Sequence, residues 1–293
     1  ERKNKLILAR DQFGVKPLYY FYDNEKIIFG SEIKSILVSD NFKKEIDFSA
    51  LDSLLTFRYN PSPDTLIKGI KKLNPSHYLV ISNDCEIKEK NYWNYFPKTN
   101  FDISLDDAVK EYQRLLENSV KRQLISDVPV GLLLSGGIDS AIIGYLMQNY
   151  TNQKIKTFSI GFEGKGDYNE LNDAKISADL IGSEHYSLTI TKNEYLSFFL
   201  NSFYYTEEPI AEPTIPALYY VSKLAAENVK VVLAGQGADE PLAGYKRYMG
   251  EKILSKFPNV ISLLSKMHTD KLLNRNERFK RTLYASQQTD LQK

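Results

Sequence analysis

The chain has 293 residues, 42% of them hydrophobic, and its 38 basic side chains nearly balance 37 acidic ones for a formal net charge of +1. That is enough material for a substantial core and two units, and it offers no general electrostatic attraction to nucleic acid or an acidic membrane. Cys85 is the sole cysteine, which excludes an internal disulfide, a C-x-x-C redox pair and a cysteine zinc cluster and fits a reducing compartment.

The first residues, ERKNKLILAR, enter a strand pattern without an initiator Met or signal peptide, and the last, NERFKRTLYASQQTDLQK, stop in a polar helical pattern. The expectation is a piece cut from a longer chain at both ends. No stretch approaches the roughly 18 consecutive apolar residues of a membrane span. From Lys5 to Tyr95 short apolar runs (KLILAR, PLYYFYD, KIIFGSE, HYLVIS) alternate with turn residues and predict strands. One helix interrupts them over Phe48 to Phe57, with Phe48 and Ser49 suited to start it and NPSPD to end it.

From Ser104 the spacing turns helical and sets Leu105, Ala108, Val109, Tyr112, Leu115, Leu116, Ser119 and Val120 on one face, so the domain boundary is placed near Pro97, with units 1–97 and 98–293. Strand and helix then alternate: VGLLLS with AIIGYLMQNY, KTFSIGF with DAKISADLIG, HYSLTI with EYLSFFLNSFYY, and ALYYVSKLAAE with VKVVLAG. This predicts an α+β unit followed by an α/β unit with a parallel sheet, whose ligands belong at the carboxyl ends of the strands.

Two of those strands end in small polar turns. SGGIDS, Ser135 to Ser140, follows the apolar strand Val130 to Leu134 and opens a helix near Ile138. Gly136 and Gly137 let backbone approach a ligand, and the first helical amides attract an anion. Ser135 and Ser140 add hydroxyls, while Asp139 suits phosphate only in the company of Mg²⁺. A Walker A lysine is absent. The second stretch runs from Val231 to Tyr248, and its GQGADE is not a dinucleotide fingerprint, because Glu240 and Pro241 stand where a third small residue is needed. Asp239 and Glu240 are instead candidates for metal or nucleotide–magnesium chemistry.

Together these stretches resemble the asparagine synthetase family: SGGIDS is similar to its S-G-G-x-D-S pyrophosphate loop and GQGADEPLAGY to its later S-G-[DE]-G-[AS]-D-E-x-x-x-G-Y segment. LARDQFGVKPLYY, FGSEIKSIL, LNPSHYLVI, SDVPVGLLLSGG, TFSIGFEG and EEPIAEPTIPALYYVSKLA follow the family's order. The resemblance implies the later part of an N-terminal-nucleophile glutaminase (class II amidotransferase) domain and then a PP-loop ATP pyrophosphatase domain of the adenine nucleotide alpha hydrolase-like kind. It implies a cytoplasmic ligase that adenylates aspartate with ATP and Mg²⁺, releases pyrophosphate, and lets ammonia from glutamine displace AMP. By motif, Ser135, Gly136, Gly137, Asp139 and Ser140 would hold pyrophosphate and Mg²⁺. Leu134, Ile160, Ala234, Gly235 and Gly237 would frame the nucleotide, Asp239 would be the second magnesium carboxylate and Glu240 its catalytic neighbour. Glu207 to Pro216 would line the acceptor side. The partners implied are these small molecules, with no nucleic acid and no membrane, and with a homodimer as the assembly to test.

Several residues depart from the family pattern. Position 1 is Glu where the mature family has its nucleophilic Cys, and Cys85 in SNDCEIK lacks the amine base, so the chain by itself is expected not to hydrolyse glutamine. Gln236 stands where the family usually carries an acid, and an amide cannot take a proton as a carboxylate can. Either the base lies elsewhere or the enzyme amidates another carboxylate, of a sugar or peptide; a non-catalytic ATP-binding relative is the alternative from a different class. His77, His185 and His268 show no metal-ligand spacing and are read as structural or surface residues.

Overall fold

The computed structural model describes residues 5–23, 25–39, 42–82, 86–96, 102–164, 169–209, 212–245 and 248–249. Cys85, Pro97 and His268 lie outside them, so the boundary residue and the lone thiol receive no structural account.

The first unit contains two three-stranded antiparallel sheets. β1 (Lys5–Ala9), β5 (His77–Ser82) and β6 (Ile87–Asn91) form one in the order β1-β5-β6; β3 (Ile27–Gly30), β2 (Tyr19–Tyr22) and β4 (Ile70–Lys72) form the other in the order β3-β2-β4. Leu8, Leu73, Leu79 and Ile81 close a core beside the first sheet. Ile33, Ile36 and Ile70 close another beside the second, where α1 (Ile33–Leu37) packs on β3. That short helix falls where the apolar pattern continues directly from a strand. Helix α2 (Phe48–Phe57) has the expected span, but Asp47 caps it, its carboxylate accepting from the amides of Ser49 and Ala50. Its end comes before the proline cluster, because Arg58 turns into the left-handed region at φ 68° and donates its amide to Leu54.

The second unit opens with α3 (Leu105–Gln123), capped by Ser104 and flanked by Asp106 and Asp107 in its first turn and Lys121 and Arg122 in its last, as the helix dipole favours. Only part of its apolar face is used: Val120 is buried and Leu116 packs beside it, whereas Leu105, Val109 and Leu115 stay exposed among the described residues. The chain then runs through β7 (Val130–Leu133), α4 (Ile138–Asn149), β8 (Lys156–Phe162), α5 (Leu171–Ile181), β9 (Glu184–Ile190), α6 (Lys192–Asn201), α7 (Phe203–Thr206), α8 (Ile215–Ala226), β10 (Val231–Ala234) and α9 (Asp239–Leu242).

Strands β10, β7, β8 and β9 pair in parallel in that order. Alternate side chains of β7 and its continuation feed both faces. Leu132 and Leu134 join Val120, Leu146, Met147, Ala174 and Ala178 under α3, α4 and α5. Leu133 joins Phe158, Val221, Ala225 and Val229 under α8. This double burial explains the unbroken apolar run before SGGIDS, since a strand covered on both faces has no solvent side to mark. Leu132 is fully buried, and its truncation to Ala is worth about 2–5 kcal/mol.

Within this sheet Thr157 is fully buried and shares its hydroxyl with Ser183 Oγ and His185 Nδ1, both at 2.9 Å. Burial first, and then the charge of Lys175 against a smaller opposing effect of Asp179, push the His185 imidazole below its ordinary range. The histidine bonds within the sheet and does not line the cavity described below.

Candidate active site

Chain order and strand order disagree at one place in the parallel sheet: β7 leads through α4 to β8 on one side, while β10 returns much later to its other side. A crevice opens at the carboxyl ends of strands at such a reversal, and both polar turns noted in the sequence emerge there. The register sets Leu133 opposite Ala234, so the two loops leave the sheet side by side.

They also touch. A Cβ on Gly235 would lie 2.7 Å from Ser140 N and 2.9 Å from Ser140 Cα, which no side chain tolerates. Ser140 is buried beneath the first loop and ties it together: its hydroxyl accepts from Ser135 N at 3.1 Å, meets Ser135 Oγ at 2.9 Å and donates to Gly137 O at 3.1 Å. Ser159 on β8 donates to the carbonyl of Leu134, fixing the point where strand becomes loop. Helix α4 starts at Ile138 with Gly137 as its N-cap and with no side chain capping it. Its first amides therefore face the crevice with the positive end of the helix dipole behind them.

A cavity of about 480 Å³ occupies this end of the sheet. Of the residues singled out by sequence, Leu134, Ser135, Gly137, Asp139, Ser140, Ile160, Ala234, Gly235, Gly237 and Asp239 line it. Gln236 lines it too. Gly136 and Glu240 stand outside its lining. The Gly136 amide donates to Glu170 Oε2 at 3.1 Å, and a Cβ there would press on Asp173 and Glu170. The Glu240 carboxylate accepts from the Tyr245 hydroxyl at 2.8 Å.

Sequence reasoning passed over Glu170. Its carboxylate engages an amide of the glycine loop, where an incoming anion would bind, so the loop already shows its appetite for negative charge. The only signal in the sequence was an acid at the start of a helix, which is commonplace. It also passed over Phe158, Phe162, Ala217, Leu218 and Val221, which supply an apolar wall, and Tyr245. Of the stretch from Glu207 to Pro216, Thr214 lines the cavity, while Glu207 and Glu208 turn toward the first unit. Among the described residues no three His, Cys, Asp or Glu side chains gather as a metal site. Asp139 and Asp239 do line one cavity, and two hard carboxylates completed by substrate phosphate oxygens suit Mg²⁺.

A family model described as asparagine synthase matches residues 111–293, more than half of the chain. The chain belongs to the asparagine synthase family. A glutamine amidotransferase domain model matches residues 1–93 of this asparagine synthase family chain. Asparagine synthetase (glutamine-hydrolyzing) 1 of Bacillus subtilis (strain 168) is 39% identical over 270 residues, covering 90% of this chain and 42% of that protein. Asparagine synthetase (glutamine-hydrolyzing) 3 of the same organism is 30% identical over 272 residues, covering 88% and 44%. The chain thus spans less than half the length of these two relatives. A solved glutamine-dependent NAD+ synthetase from Acinetobacter baumannii, in complex with adenosine diphosphate, aligns with a TM-score of 0.36 at 16% identity, covering 63% of this chain and 37% of that one. Among the described residues no helix is long and apolar enough to cross a membrane.

Proposed function

We propose that the protein to which this chain belongs converts aspartate to asparagine, with ATP as activator and glutamine as the source of ammonia. The observation that carries this is the meeting of the Ser135–Ser140 and Gly235–Asp239 loops around one cavity in a chain of the asparagine synthase family. A carboxylate is a poor electrophile until its oxygen becomes a leaving group. Attack of the aspartate carboxylate oxygen on the α-phosphorus of ATP gives an acyl-adenylate and pyrophosphate, and attack of ammonia on the acyl carbon then expels AMP and, after loss of a proton, leaves the amide.

The glycine loop and the start of α4 would hold the departing pyrophosphate by backbone amides, with Ser135 and Ser140 fixing the loop's shape. Leu134, Ile160, Ala234 and Gly235 would bound the adenosine, with Phe158 and Val221 adding apolar surface. Asp139 and Asp239 would hold Mg²⁺, which when bound offsets the charge of the phosphates. The Glu240 carboxylate, held by Tyr245, would act beside Asp239. In the first unit, the amidotransferase match supports glutamine as nitrogen donor. A boundary near Pro97 is supported by family matches that end at 93 and resume at 111. A cytoplasmic location and a homodimer belong to the same proposal; ATP use and the single cysteine support the former.

Gln236 on the cavity wall makes the acceptor the point to test, aspartate against another carboxylate. The full-length protein, given ATP, Mg²⁺ and ammonium, separates the two by pyrophosphate release with aspartate against a panel of carboxylates. Release with aspartate and formation of asparagine support the first reading. Release with another carboxylate alone replaces it with the second.

A further inference from the structure

The two adjacent carboxylates that turn away from the cavity both end in the first unit. Glu207 accepts from the amides of Ile33 at 2.7 Å and Lys34 at 2.9 Å, the opening residues of α1. Glu208 accepts through one oxygen from Asn60 Nδ2 at 2.8 Å and Leu66 N at 2.6 Å, and through the other from Lys72 Nζ at 2.9 Å. Lys72 also donates to the Asn60 carbonyl at 3.1 Å, and Lys34 donates to the Tyr204 carbonyl at 3.1 Å while lying over its ring. The side chains of Glu207, Glu208 and Lys72 are 10%, 12% and 16% exposed.

A surface ion pair contributes little, but carboxylates withdrawn from water must have their oxygens occupied by donors, and here each of these donors comes from the other unit. The backbone at Glu207 is left-handed, φ 62°, where it ends α7 and donates its amide to the Phe203 carbonyl. From this clasp the chain leads on to Thr214 and α8, and Thr214, Ala217, Leu218 and Val221 form one wall of the cavity. The segment that enters that wall is thus tied to the first unit by two neighbouring side chains.

We infer that Glu207 and Glu208 are positioning residues that couple the two units, holding the α8 wall of the cavity against the amidotransferase unit so that ammonia freed in one is delivered to the other. The inference rests on the proposed function.

The test uses the full-length protein and its E207Q, E208Q, K72M and K72R variants, and measures glutamate and asparagine formed from glutamine and asparagine formed from ammonium. Replacing a carboxylate by its amide isostere turns an NH2 toward one of its donors and removes the charge, and replacing Lys72 by Met removes a donor; each weakens the clasp without emptying its volume. The expected result for E208Q and K72M is glutamate release outrunning asparagine by about fivefold or more, with the ammonium-supported rate within about twofold of wild type and K72R restoring coupling. An unchanged glutamate-to-asparagine ratio, or a parallel fall of the glutamine- and ammonium-supported rates, overturns the inference. If wild-type protein amidates no carboxylate at all, it is the functional reading that has failed. Hydrogen exchange then decides the coupling, which requires α1 and α8 to lose protection together in E207Q and is refuted if only one of them does.

Discussion

Gly235 and the backbone of Ser140 are in direct contact across the crevice, with room for a hydrogen on Gly235 and none for a methyl. The two loops of the site are therefore one mechanical unit, although the strands β8, β9 and β10 and the helices α5 to α8 lie between them in the chain. G235A must push them apart. Overpacking of this kind destabilises by about 1–3 kcal/mol, and the displaced loop should weaken ATP binding well beyond that general loss of stability. Thermal unfolding with and without ATP checks this: the variant's melting temperature should fall and its ATP-induced rise should disappear. A variant that keeps the ligand-induced rise would show that the loops bind independently.

Glu170 holds the Gly136 amide and adds a negative charge beside the place proposed for phosphate. E170Q retains an acceptor oxygen for the amide and removes the repulsion. ATP or pyrophosphate should bind more tightly by a factor on the order of three, less than 1 kcal/mol, as expected for a single partly solvated charge. Calorimetric titration measures it. Weaker binding in E170Q would mean that the carboxylate supports the loop in its binding shape.

Gln236 faces the cavity with an amide where an acid would serve proton transfer. Under the proposed reaction, Q236E should raise the ammonium-supported rate with aspartate on the order of tenfold and add an acidic limb to the pH profile, since general base catalysis requires the ionised carboxylate. The Michaelis constant for ATP should be little changed. Rates equal to or below wild type would place the base elsewhere.

His185 links pH to stability through its depressed pKa. The unfolded chain binds this proton at an ordinary value of about 6.5, while the folded protein binds it only at lower pH. The stability present above that value is lost as pH falls from it through the lower folded-state value, and the loss stops once both states are protonated. Melting temperature should therefore drop on acidification across this window, and H185N should flatten the drop. Parallel curves for wild type and H185N would contradict the depressed pKa of the imidazole.

The elements that deliver the site were legible because each is a local signal. An apolar run followed by glycines and a helical pattern identifies the strand, loop and helix around Ser135–Ser140 without any distant contact, and the same holds for Val231–Asp239. The span of α2 was legible in the same way, whereas its cap was not: only the bonds that the Asp47 carboxylate accepts from the Ser49 and Ala50 amides identify it.

By itself, the sequence determined an α+β unit followed by a parallel α/β unit, the family, and two polar turns at strand ends, since strand periodicity, glycine and capping chemistry act within a few residues. Only the tertiary structure decided that β10 lies beside β7, that Glu170 grips the Gly136 amide, and that Glu207 turns from the cavity to the amide of Ile33, which lies 174 residues away in the chain. Adjacent acids before a proline fit a cavity wall and an interdomain clasp equally well, and which donors reach them depends on how distant segments pack, something no local pattern encodes.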